Sequence, residues 1–224
     1  MVTLNLPSGK YKLPKRLTIE QWMDCMQLDL QDPIFWSVAL SKVTGAPLTE
    51  LRDCPQEGLE LGMGFLISLL GQQKRPLEFL PLDSIRFGEW VDLDVWAVWG
   101  PDKHMTDMMS ILAPKVKYAD EALWVFTHYS KWRLSVYKSY RALFGLDDPQ
   151  GDEREPKDKL AIARGWYSLI VKLANGNILN IDPVTEQPLK KALNLLAYQK
   201  QVELEERAAA MQIKRKYDIQ RPRR

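Results

Sequence analysis

The sequence predicts a mainly α protein, a helical bundle with a short N-terminal β-hairpin or arm and a long C-terminal helix. Three observations predict it. Apolar residues recur at spacings of three and four along most of the chain, from Leu123 through Trp124, Phe126, Tyr129, Trp132, Val136, Tyr137 and Tyr140 to Phe144. Strict alternation is confined to Val2, Leu4 and Leu6 and, beyond Pro7-Ser8-Gly9-Lys10, to Tyr11 and Leu13. The final stretch, Pro188 to about Ile219, runs 32 residues without proline or glycine after its first position.

The opening alternation reads as a hairpin or an extended arm with a Pro/Gly turn; strands this short must lean on the helices or on another subunit. Thr18 with Gln21 three residues later is a capping box, opening a helix from Ile19 to about Leu30. Asp32-Pro33 starts a second helix, Pro33 to Thr44, and Gly45 suits its left-handed cap. Pro47 to Asp53 is one short helical turn, and Pro55 starts a helix that ends at Gly71. Within it Gly58 and Gly62, four apart, form a face that lets a neighbouring helix approach. Lys74 to Ser84 is a connector broken by Pro76 and Pro81.

The segment Phe87 to Phe144 holds twelve of the chain's 22 Phe, Trp and Tyr residues, and the core is expected there. A helix over Phe87–Trp99 stops at Gly100-Pro101, a short one covers Asp102 to Leu112, and a long one runs from Asp120 to Phe144 and ends at Gly145. Trp124 and Trp132 are predicted to be buried against Phe87–Trp99. Residues 146–158, polar and broken by two prolines, read as a linker. The predicted organisation is therefore a helical core domain over 1–145 including the hairpin, the linker 146–158, and a C-terminal helical pair over 159–224 ending in a basic arm. In that pair, a helix from Lys159 to Ala174 has Leu160, Trp166, Leu169, Ile170 and Leu173 on one face and is capped by Asn175-Gly176; Asn177 to Gln187 reads as an extended turn. The last helix carries an apolar stripe (Leu189, Leu193, Leu196) only in its first half. From Glu203 to Lys216 it is mostly alanine and charge, so this half cannot bury itself in its own domain.

Net charge is +2, but Lys214 to Arg224 contains six basic residues against Asp218 alone, leaving a slightly acidic body with a basic tip. Lys214, Arg215, Lys216, Tyr217, Arg221, Arg223 and Arg224 are the candidate partner-binding residues. A protein partner is the greater expectation there and the phosphates of a nucleic acid the lesser. Two unpaired cysteines, Cys25 and Cys54, with no signal peptide point to a reducing compartment, and no apolar run reaches membrane-spanning length.

Chemistry is sparse. Glu89, Asp92 and Asp94 read as the solvated face of an amphipathic helix, His104 and His128 lack partners at ligand spacing, and Gly58, Gly62 and Gly64 lack the order and the Lys-Ser/Thr of a phosphate loop. No catalytic, cofactor or metal residues are expected, and the chain reads as a non-enzyme.

Leu6-Pro-Ser-Gly-Lys10, then Leu17-Thr-Ile-Glu-Gln-Trp22, then Leu40-Ser-Lys-Val-Thr-Gly-Ala-Pro47 with Leu48 and Leu51 and an apolar helix, resemble the tail-assembly-chaperone-like morphogenesis proteins of tailed bacteriophages. Phe87-Gly-Glu-Trp-Val-Asp-Leu93 is similar to a segment of neck and baseplate-region proteins of marine and crAss-like phages. The chain departs from the chaperones in its greater length and its second helical half, 159–219. The resemblance therefore implies a built-in virion component assembled in the host cytoplasm, a neck (head-to-tail) or baseplate connector or ring subunit. It would form a ring homo-oligomer and grip other phage structural proteins through terminal arms. The alternative it implies is a tail assembly chaperone that binds the tail or tape-measure protein.

Overall fold

The computed structural model describes residues 2–29, 31–144 and 159–220, with the side chains of all but 56, 57, 159 and 215–220. Its elements are strands β1 (Thr3–Leu6) and β2 (Gly9–Lys12), then helices α1 (Ile19–Met26), α2 (Phe35–Thr44), α3 (Leu48–Arg52), α4 (Gln56–Leu70) and α5 (Phe87–Trp99). After these come α6 (Pro101–Leu112), α7 (Ala119–Ser139), α8 (Lys159–Leu173), α9 (Ile181–Thr185) and α10 (Leu189–Gln220). The mainly helical class, the N-terminal hairpin and the long C-terminal helix are as the sequence predicts. The predicted linker 146–158 lies outside the described residues.

The chain forms two compact units, one of residues 1–82 and 96–131, the other of 83–95 and 132–224. In the first, β1 and β2 pair antiparallel with Leu4 opposite Tyr11 and Leu6 opposite Gly9. Leu4 and Leu13 are buried, and the turn is clamped by Glu50 of α3, whose carboxylate accepts from the Ser8 N–H at 3.1 Å and its hydroxyl at 2.8 Å. The hairpin thus leans on its own unit. The capping box forms as the sequence requires: Thr18 Oγ1 accepts from the Gln21 N–H and Gln21 Oε1 from the Thr18 N–H. Extended backbone next to it exchanges hydrogen bonds with the residues that lead into α7, Ile19 N–H to Lys117 O and Ala119 N–H to Leu17 O. Arg16 chelates the Asp120 carboxylate at the same place, with Nε at 2.8 Å from Oδ2. Apolar side chains of α1, α2, α4 and α6 (Trp22, Leu40, Leu66, Met105, Met108 and Leu112 among them) fill the core of this unit.

Helix ends differ from expectation where a side chain competes for the backbone. Helix α1 stops at Met26, because Asp29 Oδ1 accepts from the Gln31 N–H at 2.9 Å and holds a turn. Asp32 likewise accepts from the Ile34 N–H, so α2 begins at Phe35 and not at Pro33. Gly45 closes α2 in the left-handed conformation, φ 75°, as predicted. Of the two packing glycines in α4, Gly62 does admit a neighbour: a Cβ there would sit 3.2 Å from Leu40 Cδ1 of α2. Gly58 faces Cys54 Sγ of the preceding turn instead of a neighbouring helix.

The second unit is built on aromatic rings. Phe87, Trp90 and Leu93 of α5 are fully buried, with Trp166 and Ile170 of α8 and Leu189, Leu193 and Leu196 of α10 also in the core. Helix α7 ends at Ser139, short of Phe144, because the chain turns back and sets the Phe144 ring 4.3 Å from Tyr137 and 5.9 Å from Trp166. Asn175 and Gly176, both at positive φ, cap α8 as expected. Residues 177–187 are not an extended turn. They form a 3-10 turn (Ile178–Asn180) and α9, because Asn177 Oδ1 accepts from the Leu179 N–H and Pro183 falls in a first turn, where its missing donor costs nothing.

Of the two tryptophans singled out from sequence, Trp132 packs on the Phe87–Trp99 helix as expected, though only half-buried, and Trp124 does not. Trp124 is half-buried in the first unit, stacked on His128 at 5.1 Å with the Phe79 ring edge-on and Arg75 above it, and not against Phe87. Trp132 is half-buried and meets Trp90 edge-to-face at 5.3 Å. Trp90→Ala is therefore the substitution expected to cost about 3–5 kcal/mol by chemical denaturation, the usual range for a fully buried aromatic. Trp132→Ala should cost clearly less, because part of its ring already faces water.

Candidate interaction surface

Asp94 is the side chain that sequence reasoning misplaced. It does not lie on a solvated face: it is 0 % exposed and ion-paired with Arg133 of α7, whose Nε donates to Oδ1 at 2.6 Å. The Tyr137 hydroxyl donates to the same carboxylate at 2.9 Å, and Trp166 Nε1–H of α8 donates to Oδ2 at 2.8 Å. Arg133 also lies 4.9 Å from the centre of the Tyr137 ring. Burial, and then the Asp94 charge, push the Tyr137 hydroxyl far above the usual phenol range. Tyr137 therefore stays a donor at every physiological pH. The arrangement satisfies a buried carboxylate with a cation and two neutral donors, as a buried charge demands. Its ligands come from within the chain, so it joins α5, α7 and α8 and is a structural centre. The signal was present in the sequence: Asp94 falls four residues after Trp90 and seven after Phe87, on the apolar stripe of α5.

Glu89 and Asp92, the other two acids of this helix, stand apart from it. Glu89 accepts from the Arg86 N–H at 2.8 Å and caps the start of α5. Asp92 is exposed beside a cleft of about 320 Å3 whose lining includes Arg86, Val91, Thr185 and Glu186. Partial desolvation, and then the nearby Glu89, raise the Asp92 pKa above the ordinary aspartate value. Arg86 pairs with Glu186 at the rim. Among the described residues no group of three or more His, Cys, Asp or Glu is placed to hold a metal ion. The cleft owes its form to a close approach of α5 and α9: a Cβ on Gly88 would lie 2.9 Å from Thr185 Cβ and 3.3 Å from its carbonyl oxygen. Gly88→Ala is expected to cost about 1–3 kcal/mol through this overpacking. Thermal denaturation of the single variant and of Gly88→Ala with Thr185→Gly checks it, the second removing the Cβ that the new methyl would meet and recovering part of the loss.

Helix α10 changes character along its length. Its first turns bury Leu189, Ala192, Leu193 and Leu196, and Lys172 of α8 holds Glu203 by an ion pair. From Leu204 to Lys214 every side chain is exposed, including Leu204, Met211 and Ile213. Of the predicted basic tip, Lys214 is exposed on this helix. Arg215, Lys216 and Tyr217 lie on its backbone with side chains outside the described set, and Arg221, Arg223 and Arg224 lie outside the described residues.

A second exposed apolar surface lies at the base of the same helix. A groove of about 340 Å3 is lined by Leu173, Pro183, Val184, Ala192 and Leu195, with Asn180, Gln187 and Lys191 supplying its polar atoms. Beside it in sequence stand Ile178, Leu179 and Tyr198, exposed at 76 %, 80 % and 65 %. Neither the groove nor Ile178 and Leu179 stood out in the sequence, because 177–187 read as an extended turn.

No described helix is long and apolar enough to cross a membrane. Comparison of the chain with protein-family models, with curated proteins and with solved structures finds no match.

Proposed function

We propose that this chain is a non-enzymatic structural component of a tailed-phage virion, a ring or adaptor subunit of the neck or baseplate that holds its neighbours through its C-terminal arm. The observation that carries this reading is the distal half of α10: from Leu204 to Lys214 a continuous helix bears apolar and charged side chains that are all exposed. A helix of 32 residues is about 48 Å long at 1.5 Å per residue, and ordering its exposed half without a contact gains nothing. A partner that covers Leu204, Met211 and Ile213 supplies the missing burial. The hairpin at the other terminus has its apolar residues seated on its own unit, so the gripping role falls to the C-terminal arm and not to both ends.

Mass spectrometry of purified particles tests the proposal. A structural subunit is expected at a fixed copy number in mature virions. Presence in infected cells with absence from the particles, together with co-purification with a tail or tape-measure protein, would instead establish a chaperone of tail assembly.

A further inference from the structure

The exposed arm and the exposed groove belong to the same unit of the same chain, yet they cannot meet within one molecule. Leu195 in the groove and Leu204 at the start of the arm lie on one unbroken helix, nine residues and about 13.5 Å apart along a rigid rod. The arm therefore points away from its own groove.

We propose that the groove framed by α8, α9 and the first turns of α10 receives the distal α10 of a second copy of this chain. This rests on the assembly role proposed above and names the surface on which the arm lands. The mode is helix-in-groove, with apolar anchors on one side and an apolar floor on the other. Charge decides between a second copy and an arbitrary amphipathic helix. Lys191 is the one charged residue lining the groove. Asn180 Nδ2 donates to the Ala174 carbonyl and Gln187 Nε2 to the Pro183 carbonyl, which holds both amides against their own backbone. Lys191 Nζ gives one hydrogen bond, to Gln187 Oε1 at 2.8 Å, and an ammonium has three donors, so it retains capacity for a carboxylate. The arm brings Glu205 and Glu206, both exposed, beside its anchor Leu204. Arm and groove are different surfaces of one chain, so the contact is heterologous: each copy gives an arm and takes one, and the array continues until the rotation closes it.

That asymmetry gives the test. Leu204→Asp with Met211→Asp removes the arm's anchors, and Lys191→Glu with Leu195→Asp removes the groove. All four positions are exposed, so the fold should stand, with circular dichroism and tryptophan fluorescence checking it for each variant. By light scattering, the full-length natural chain is expected to form species of several copies, and each double variant alone to be a monomer. An equal mixture of the two should give a two-chain species and nothing larger, because one variant retains only a groove and the other only an arm. A groove variant that associates like the natural chain, while the arm variant does not, overturns this inference and leaves the assembly role standing with the arm's receptor elsewhere. A mixture that stays monomeric overturns it too. If the natural chain is monomeric throughout yet present in particles, a different protein fills the groove and the second-copy inference falls. If it is also absent from particles, the virion reading falls with it.

Discussion

Asp94→Ala is expected to destabilise the protein by about 3–5 kcal/mol, the range for removing one partner of a buried ion pair. The substitution leaves three donors facing a cavity: the Arg133 guanidinium, the Tyr137 hydroxyl and the Trp166 indole N–H, all of which now donate to this one carboxylate. Each unsatisfied buried donor costs about 1–3 kcal/mol. The guanidinium is charged, but its side chain is partly exposed and recovers some hydration, which keeps the total below a simple sum. Asp94→Asn should cost less, since an amide oxygen still accepts while the charge is lost. Combining Asp94→Ala with Arg133→Met should recover part of the deficit, because the guanidinium that faced the carboxylate is then replaced by an apolar side chain. Urea denaturation followed by tryptophan fluorescence reads all three. A loss under about 1 kcal/mol for Asp94→Ala would show that this centre does not hold the second unit together.

Deleting residues 203–224 is expected to leave the fold intact and to abolish assembly. The deletion removes the Lys172–Glu203 ion pair and the Gln201–Glu205 hydrogen bond, and surface contacts of this kind contribute little to stability. Everything in α10 that is buried, from Leu189 to Leu196, stays. The melting temperature should thus move little, while incorporation into particles falls tenfold or more. Raising the salt concentration should weaken the association of the full-length chain in the same direction, though less completely, because salt screens the carboxylate–ammonium part of an arm contact and leaves its apolar part. Unfolding of the truncated chain would place the arm in the core. Normal incorporation would make it a passive tail.

Much of this molecule was legible in its sequence because the responsible forces are local. The Thr18–Gln21 capping box, the left-handed caps at Gly45 and at Asn175-Gly176, the stop at Gly100-Pro101 and the hairpin around Pro7-Ser8 depend on residues a few positions apart. Their signals are accordingly written in the chain. The bare distal half of α10 was legible too, since a helix without a wide apolar stripe has nothing to bury. What tertiary structure alone decided depended on partners distant in sequence. Asp94 falls on the apolar stripe of α5, but only the arrival of Arg133, 39 residues on, and of Trp166, 72 residues on, makes its burial affordable in free energy. Trp124 and Trp132 share one helix, yet they differ in surroundings because Phe79 and His128 meet the first and Trp90 the second. The groove beside Ile178 and Leu179 has no local signature either. Its walls come from the end of one helix, a proline-containing turn and the start of another, and no periodicity spans all three. The sequence by itself determined the helices, their caps and the unburied arm. The placement of a charge in the core, and the surface that the arm can reach, required the folded chain, because burial is a property of neighbours and not of spacing.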